Sequence, residues 1–150
     1  MIRRIPTTPL LLGLAGLIPF VWGALTLYWD DAAALGNHLF GARFIGPFIQ
    51  IYYGSIILSF MSGVIWGFAA RGTGPVATMG YVLSVIPALW VFFMVGGGPI
   101  SAMTYLAFGF AGLLGIDWLM WKNDLTPPWW MSLRLLLTSI VLASLIAGIL

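Results

Sequence analysis

The chain has 150 residues, of which 61% are hydrophobic and 7% charged; six Lys and Arg, four Asp and Glu and one His give a formal net charge of +2. So few ionisable groups cannot give a globule of this size a water-facing surface, so the exterior must face lipid and the chain reads as a membrane protein. Scattered bases exclude a phosphate-tracking nucleic-acid surface, and the absence of cysteine excludes disulfides, thiol catalysis and thiolate metal sites.

Five apolar runs, at about 9–29, 46–70, 76–95, 100–121 and 129–149, are each long enough for a hydrocarbon core of about 30 Å, which takes about 20 helical residues. Continuous apolar runs specify helices rather than barrel strands, because an intrahelical ladder satisfies the backbone in lipid. The expected fold is an all-α membrane protein, a bundle of five transmembrane helices forming one domain over 1–150. The first run follows Arg3 and Arg4 as a signal peptide would, yet it exceeds the ~7–15 apolar residues of such a peptide and contains Trp22 and Trp29, so it is read as a retained span. Pro19, near its middle, predicts a kink, since proline removes a backbone donor and clashes with the preceding turn.

The only long connection, "DDAAALGNHLFGARFIG" at 30–46, places Leu35, Leu39 and Phe40 at roughly helical spacing. It reads either as a short helix lying in the interface or as a plain loop. His38 with Asp30 and Asp31 lacks a recognised metal-ligand spacing, so no metal is expected. Gln50, Tyr52 and Tyr53 open the second span, where they read as interfacial anchors, and Tyr105 lies at a similar level in the fourth. Ser55, Ser59, Gly63 and Gly67 then stand four apart, on one helical face. Such a stripe predicts a packing seam, with Gly109, Gly112 and Gly115 of the fourth span as the natural partner, either within one protomer or between two. Pro87 predicts a kink in the third span, and Pro19, Pro87 and Trp66 are candidates for lining a cavity created by the bends. "GGGP" at 96–99 reads as a tight turn, since no strand, lysine or helix entry of a phosphate cradle accompanies it.

The links at 71–75, 96–99 and 122–128 are short, so the second to fifth spans should form successive antiparallel hairpins. Alternation places Arg3, Arg4, Arg71, Lys122 and Arg134 on one side and Arg43 on the other, which predicts a cytoplasmic N-terminus and an external C-terminus. Trp118, Trp121, Trp129 and Trp130 would flank the cytoplasmic boundary as an aromatic belt. Asp117, about a turn before the end of the fourth span, and Arg134, about a turn into the fifth, reach the same depth on antiparallel neighbours. They are therefore expected to form a structural ion pair, although intramembrane charges also mark ion and substrate pathways. The buried serines sit in the four-residue stripe of the second span and His38 stands outside the hydrocarbon, so no nucleophilic triad is expected.

"GLAGLIPF" at 13–20, "YYGSIILSFMSGVIWG" at 52–67 and "DWLMWKNDLTPPWWMSLRLLLTSIV" at 117–141 resemble the transmembrane protein 69 family. Its most specific elements are carried by Tyr53, Gly54, Leu58, Ser59, Phe60, Trp66 and Gly67, then by Asp117, Pro128, Trp130, Leu133 and Arg134. Ser62 stands where glycine is usual, and Ile65 where a polar or basic residue is common. The resemblance implies a small polytopic protein of a bacterial inner membrane, with mitochondrial inner-membrane relatives, and it implies no activity. Met1 lies only about eight residues before the first span, which favours the bacterial location. The expected role is a non-catalytic accessory or scaffold subunit, with membrane lipids and other membrane-protein subunits or self-association as partners and no cofactor. The alternative is a binder or carrier of a small apolar molecule such as a lipid, quinone or porphyrin.

Overall fold

The computed structural model describes residues 4–150; Arg3, one of the bases counted above, lies outside them. Five helical segments, Thr7–Tyr28, Phe48–Ala69, Gly74–Met94, Pro99–Lys122 and Trp130–Ile149, are long and apolar enough to cross a membrane. The first is divided into α1 (Thr7–Ala15) and α2 (Ile18–Tyr28), and the third into α5 (Gly74–Ser84) and α6 (Ile86–Met94). The other three are α4 (Phe48–Ala69), α7 (Pro99–Lys122) and α8 (Trp130–Ile149). Both divisions fall just before a proline, Pro19 or Pro87, whose ring cannot follow the preceding helical turn. At the first break the Leu17 N–H bonds the Leu14 carbonyl, a tighter turn that re-aims the chain.

The long connection is a helix, α3 (Asp30–Phe40). Asp30 and Asp31 occupy its first turn and His38 its last, the polarity the helix dipole favours. Gly41, at φ +92°, ends it in a backbone region that side chains resist. Ala32 and Gly36 are its buried positions, and Gly36 packs so tightly on Trp22 and Ile45 that a Cβ would collide with both. Leu35, Leu39 and Phe40 stay exposed, an apolar outer edge suited to the membrane interface. The Gly96–Pro99 stretch is a turn leading into α7, with Gly97 at φ +77° and Pro99 opening the helix.

Contacts arrange the spans as a closed ring. The α4 helix packs on α5 and α6, α6 on α7, α7 on α8, and α2 closes the circuit by touching both α8 and α4. Helices α4 and α7 also meet across the middle. There Leu58, Ile65, Leu106, Phe110, Leu113 and Met120 are fully buried and form the centre of the core.

The small-residue stripe of α4 does not form the expected intramolecular seam. The buried face runs through Gly54, Leu58, Ser62, Ile65 and Ala69, one position round from the stripe. Gly63 and Gly67 face open space, as do Gly112 and Gly115 on α7, and Ser55 and Ser59 spend their hydroxyls on the carbonyls four residues back. Gly109 alone of the expected seam is tightly packed, where a Cβ would strike Leu58 and the Trp90 ring. A four-residue spacing identifies a helical face but not its direction, and lipid accepts either face of an apolar helix. The close approach is made instead by Gly54 and Gly109, whose neighbours are the large Leu106 and Leu58 side chains.

Ser62 has a use that its position in the family pattern obscured. The ring of Pro87 disrupts the ladder of α6, and the Ala88 N–H donates instead to Ser62 Oγ at 2.8 Å. Ser62→Ala strands that donor inside the bundle and is expected to cost about 1 kcal/mol, within the range measured for interhelical hydrogen bonds in lipid. Thermal unfolding in mild detergent checks it: a midpoint equal to that of the parent protein would refute the role.

Candidate functional site

Among the intramembrane charges, Asp117 is fully buried on the inner face of α7, and Arg134 lies one turn into α8, 6% exposed. The structure places Arg134 Nε 2.7 Å from Asp117 Oδ2. Trp130, four residues before Arg134 and so on the same face of α8, donates from its indole Nε1 to Asp117 Oδ1 at 2.9 Å. Both carboxylate oxygens are therefore engaged from one neighbouring helix, and the Trp130 ring is held edge-on against Phe68 of α4. The indole's contribution was hidden in the sequence by its place in a run of tryptophans that reads equally well as an interfacial belt.

Arg134 of the pair, but not Asp117, lines a cleft of about 320 Å³. Its floor includes Phe20 and Phe110, and its walls carry Gly16 from the break in the first span, Tyr53 from α4, and Arg134 and Thr138 from α8. The break creates this space: α2 is packed on both α4 and α8, whereas α1 leans on α8, with Gly13 lying against Leu137. Leu12 and Phe60 at the mouth are strongly exposed, so the cleft opens sideways through the apolar surface.

Two polar atoms beside the cleft are buried without a hydrogen-bond partner among the described residues: Arg134 Nη2 and Thr138 Oγ1. The second is unusual for this chain. Ser55, Ser59, Thr78, Thr104 and Ser139 all bond the carbonyl four residues back, the habitual refuge of a helical hydroxyl. Thr138 makes no such bond although it is only 1% exposed. Its position four residues after Arg134, which puts both side chains on one face, was visible in the sequence, but no charge drew attention to it.

The remaining expected positions lie elsewhere. Trp66 is exposed on the outer flank of α4, edge-on to Tyr81 at 4.8 Å, and does not line the cleft. Pro19 shapes the cleft by breaking the helix but does not line it; it stands in the first turn of α2, just after the break. Pro87 is buried and borders a second groove of about 300 Å³ with Trp90, Gly109 and Gly112. Gln50 is not an interfacial anchor: it is fully buried, and its Nε2 donates to the carbonyls of Ser144 at 3.0 Å and Phe20 at 3.4 Å. Gly23 and Gly148 give it room, two glycines on other spans that no local pattern connects to it. Among the described residues no three His, Asp or Glu side chains cluster closely enough to hold a metal.

The chain is 30% identical over 157 residues to transmembrane protein 69 of Xenopus tropicalis, an alignment covering 99% of this chain and 56% of that protein. It thus spans little more than half the length of the curated relative it matches. No solved structure matches it. Spanning helices and this relative together make the chain a multi-pass membrane protein. Residues 5–150 match the family described as protein of unknown function DUF3429, and the chain, similar over almost its whole length to a transmembrane protein 69, belongs to that family.

Proposed function

We propose that this protein is a non-catalytic membrane protein that holds a small apolar molecule in the cleft beside Arg134. The observation that carries the reading is the conjunction of an apolar, laterally open cleft of about 320 Å³ with two buried polar atoms that lack partners among the described residues. That volume falls at the lower end of the ~300–1,000 Å³ of small-molecule sites, and apolar walls with a few polar groups are their usual composition. The proposed orientation has the N-terminus in the cytoplasm, since Arg4, Arg71, Lys122 and Arg134 fall at one boundary and Arg43 at the other. A bacterial inner membrane is the proposed location.

Gly16 supplies the test. It borders the cleft in a right-handed helical conformation, and the nearest atoms to a Cβ there would be two carbonyl oxygens of its own preceding turn and the Tyr53 hydroxyl, at 3.3 Å or more. Gly16→Leu is expected to occupy the cleft, from a residue that is not a partner of the ion pair. Protein solubilised in mild detergent should carry an extractable small molecule enriched over the bulk lipid, and Gly16→Leu should lose it while remaining monodisperse. An identical extract from both proteins would overturn the reading.

A second reading, an accessory subunit of a larger assembly, is favoured by the open glycines Gly63 and Gly67 on α4 and Gly112 and Gly115 on α7. Such faces let another helix approach closely. A subunit bound at fixed stoichiometry and released by Gly67→Leu would support it.

A further inference from the structure

We propose that Arg134 Nη2 and Thr138 Oγ1 together select an uncharged carbonyl oxygen on an apolar body: the ester carbonyl of a lipid or the ring carbonyl of a quinone. This rests on the cleft reading above and specifies what enters it. Both atoms are donors seeking an acceptor, and the residues that bear them line the same cleft one helical turn apart. Both Asp117 oxygens are already engaged, by Arg134 Nε and by Trp130 Nε1, and neither donor is bonded to the Tyr53 hydroxyl that lines the same cleft.

Charge decides which acceptor fits. The Asp117 carboxylate balances the guanidinium, so the site as built is neutral overall. An anionic ligand would bring a further charge into an apolar cleft beside a buried carboxylate, with no second cation lining the walls. A cation would face Arg134 itself. A plain hydrocarbon would fill the volume and leave both donors stranded, at the cost attached to unsatisfied buried polar groups. A neutral carbonyl oxygen has two lone pairs, one for each donor, and needs no compensating charge.

The test compares three probes of equal chain length on the purified protein: hexadecane, methyl palmitate and palmitate. Each is quantified after gel filtration in mild detergent. Parent protein is expected to retain the ester more strongly than either of the others. Thr138→Val, which replaces the hydroxyl by a methyl of similar size and breaks no existing hydrogen bond, should weaken ester retention about fivefold and leave hexadecane unchanged. Gly16→Leu should abolish retention of all three. Equal retention of ester and alkane, stronger retention of palmitate, or indifference to Thr138→Val would overturn the carbonyl assignment while leaving the cleft reading standing. Failure of every probe to bind in a Gly16-dependent way would overturn both. Two further probes, a short-chain benzoquinone and dioleoylphosphatidylethanolamine, distinguish the sources: the one whose retention depends more on the Thr138 hydroxyl names the carbonyl the site was built for.

Discussion

Asp117→Ala is expected to destabilise the protein by about 3–5 kcal/mol, the range for removing one partner of a buried, hydrogen-bonded pair. The substitution strands two donors at once, Arg134 Nε and Trp130 Nε1, both directed at the lost carboxylate. Arg134→Ala should also be costly, because the fully buried Asp117 is short and cannot reach the headgroups as an arginine stem can. The double alanine variant should lose less than the sum of the two, and the exchange Asp117→Arg with Arg134→Asp should recover part of the folded yield. Recovery would be incomplete, since an arginine at 117 cannot accept from the Trp130 indole. Monodisperse yield and the thermal midpoint in detergent measure all four variants. Unchanged behaviour of both single alanine variants would show that the charges contribute nothing to the fold.

A second large effect is expected outside the core of the bundle. Gly46→Ala should cost about 3 kcal/mol, at the upper end of ordinary overpacking. A Cβ at 46 would run into the backbone carbonyl of Gly23, and that atom cannot rotate away as a side chain can. Relief requires the segment before α4 to move off α2. Such a movement opposes the 2.8 Å bond from the Gly46 N–H to Thr26 Oγ1 and the 2.9 Å bond from the Trp22 indole to the Phe44 carbonyl. Gly67→Ala is the matched control, since a Cβ there meets open space; alanine also has the higher helix propensity, so its thermal midpoint should not fall. If the two alanine variants melt together, the close approach of the 41–47 segment to α2 is not holding the first two spans in place.

These contrasts separate what the residues declare locally from what only three dimensions reveal. The spans were legible because hydrocarbon thickness sets a minimum length that ordinary cores do not demand, and the breaks because Pro19 and Pro87 act on their own helices. The Asp117 and Arg134 pairing was legible too: a short link between antiparallel helices converts sequence distance into depth. The inward face of α4 was not, because an apolar side chain is as comfortable in lipid as in a protein interior. Only the neighbours of Leu58 and Ile65 distinguish their face from that of Gly63 and Gly67. The cleft was least legible of all. It depends on the direction of α1 relative to α2 across the turn at Gly16 and Leu17, and the residues of its walls come from four of the five spans.

The Asp117 carboxylate is satisfied entirely from α8, and this places a condition on how the chain is made. Asp117 leaves the ribosome 17 residues ahead of Arg134 and 13 ahead of Trp130. At ~5–20 residues per second its partners follow within about one to three seconds. Until then the fourth span carries an uncompensated polar group, which disfavours settling in lipid alone. The last two helices are thus suited to leaving the insertion machinery as a joined hairpin, already neutralised, and α8 then completes the ring by meeting α2, a helix synthesised more than a hundred residues earlier.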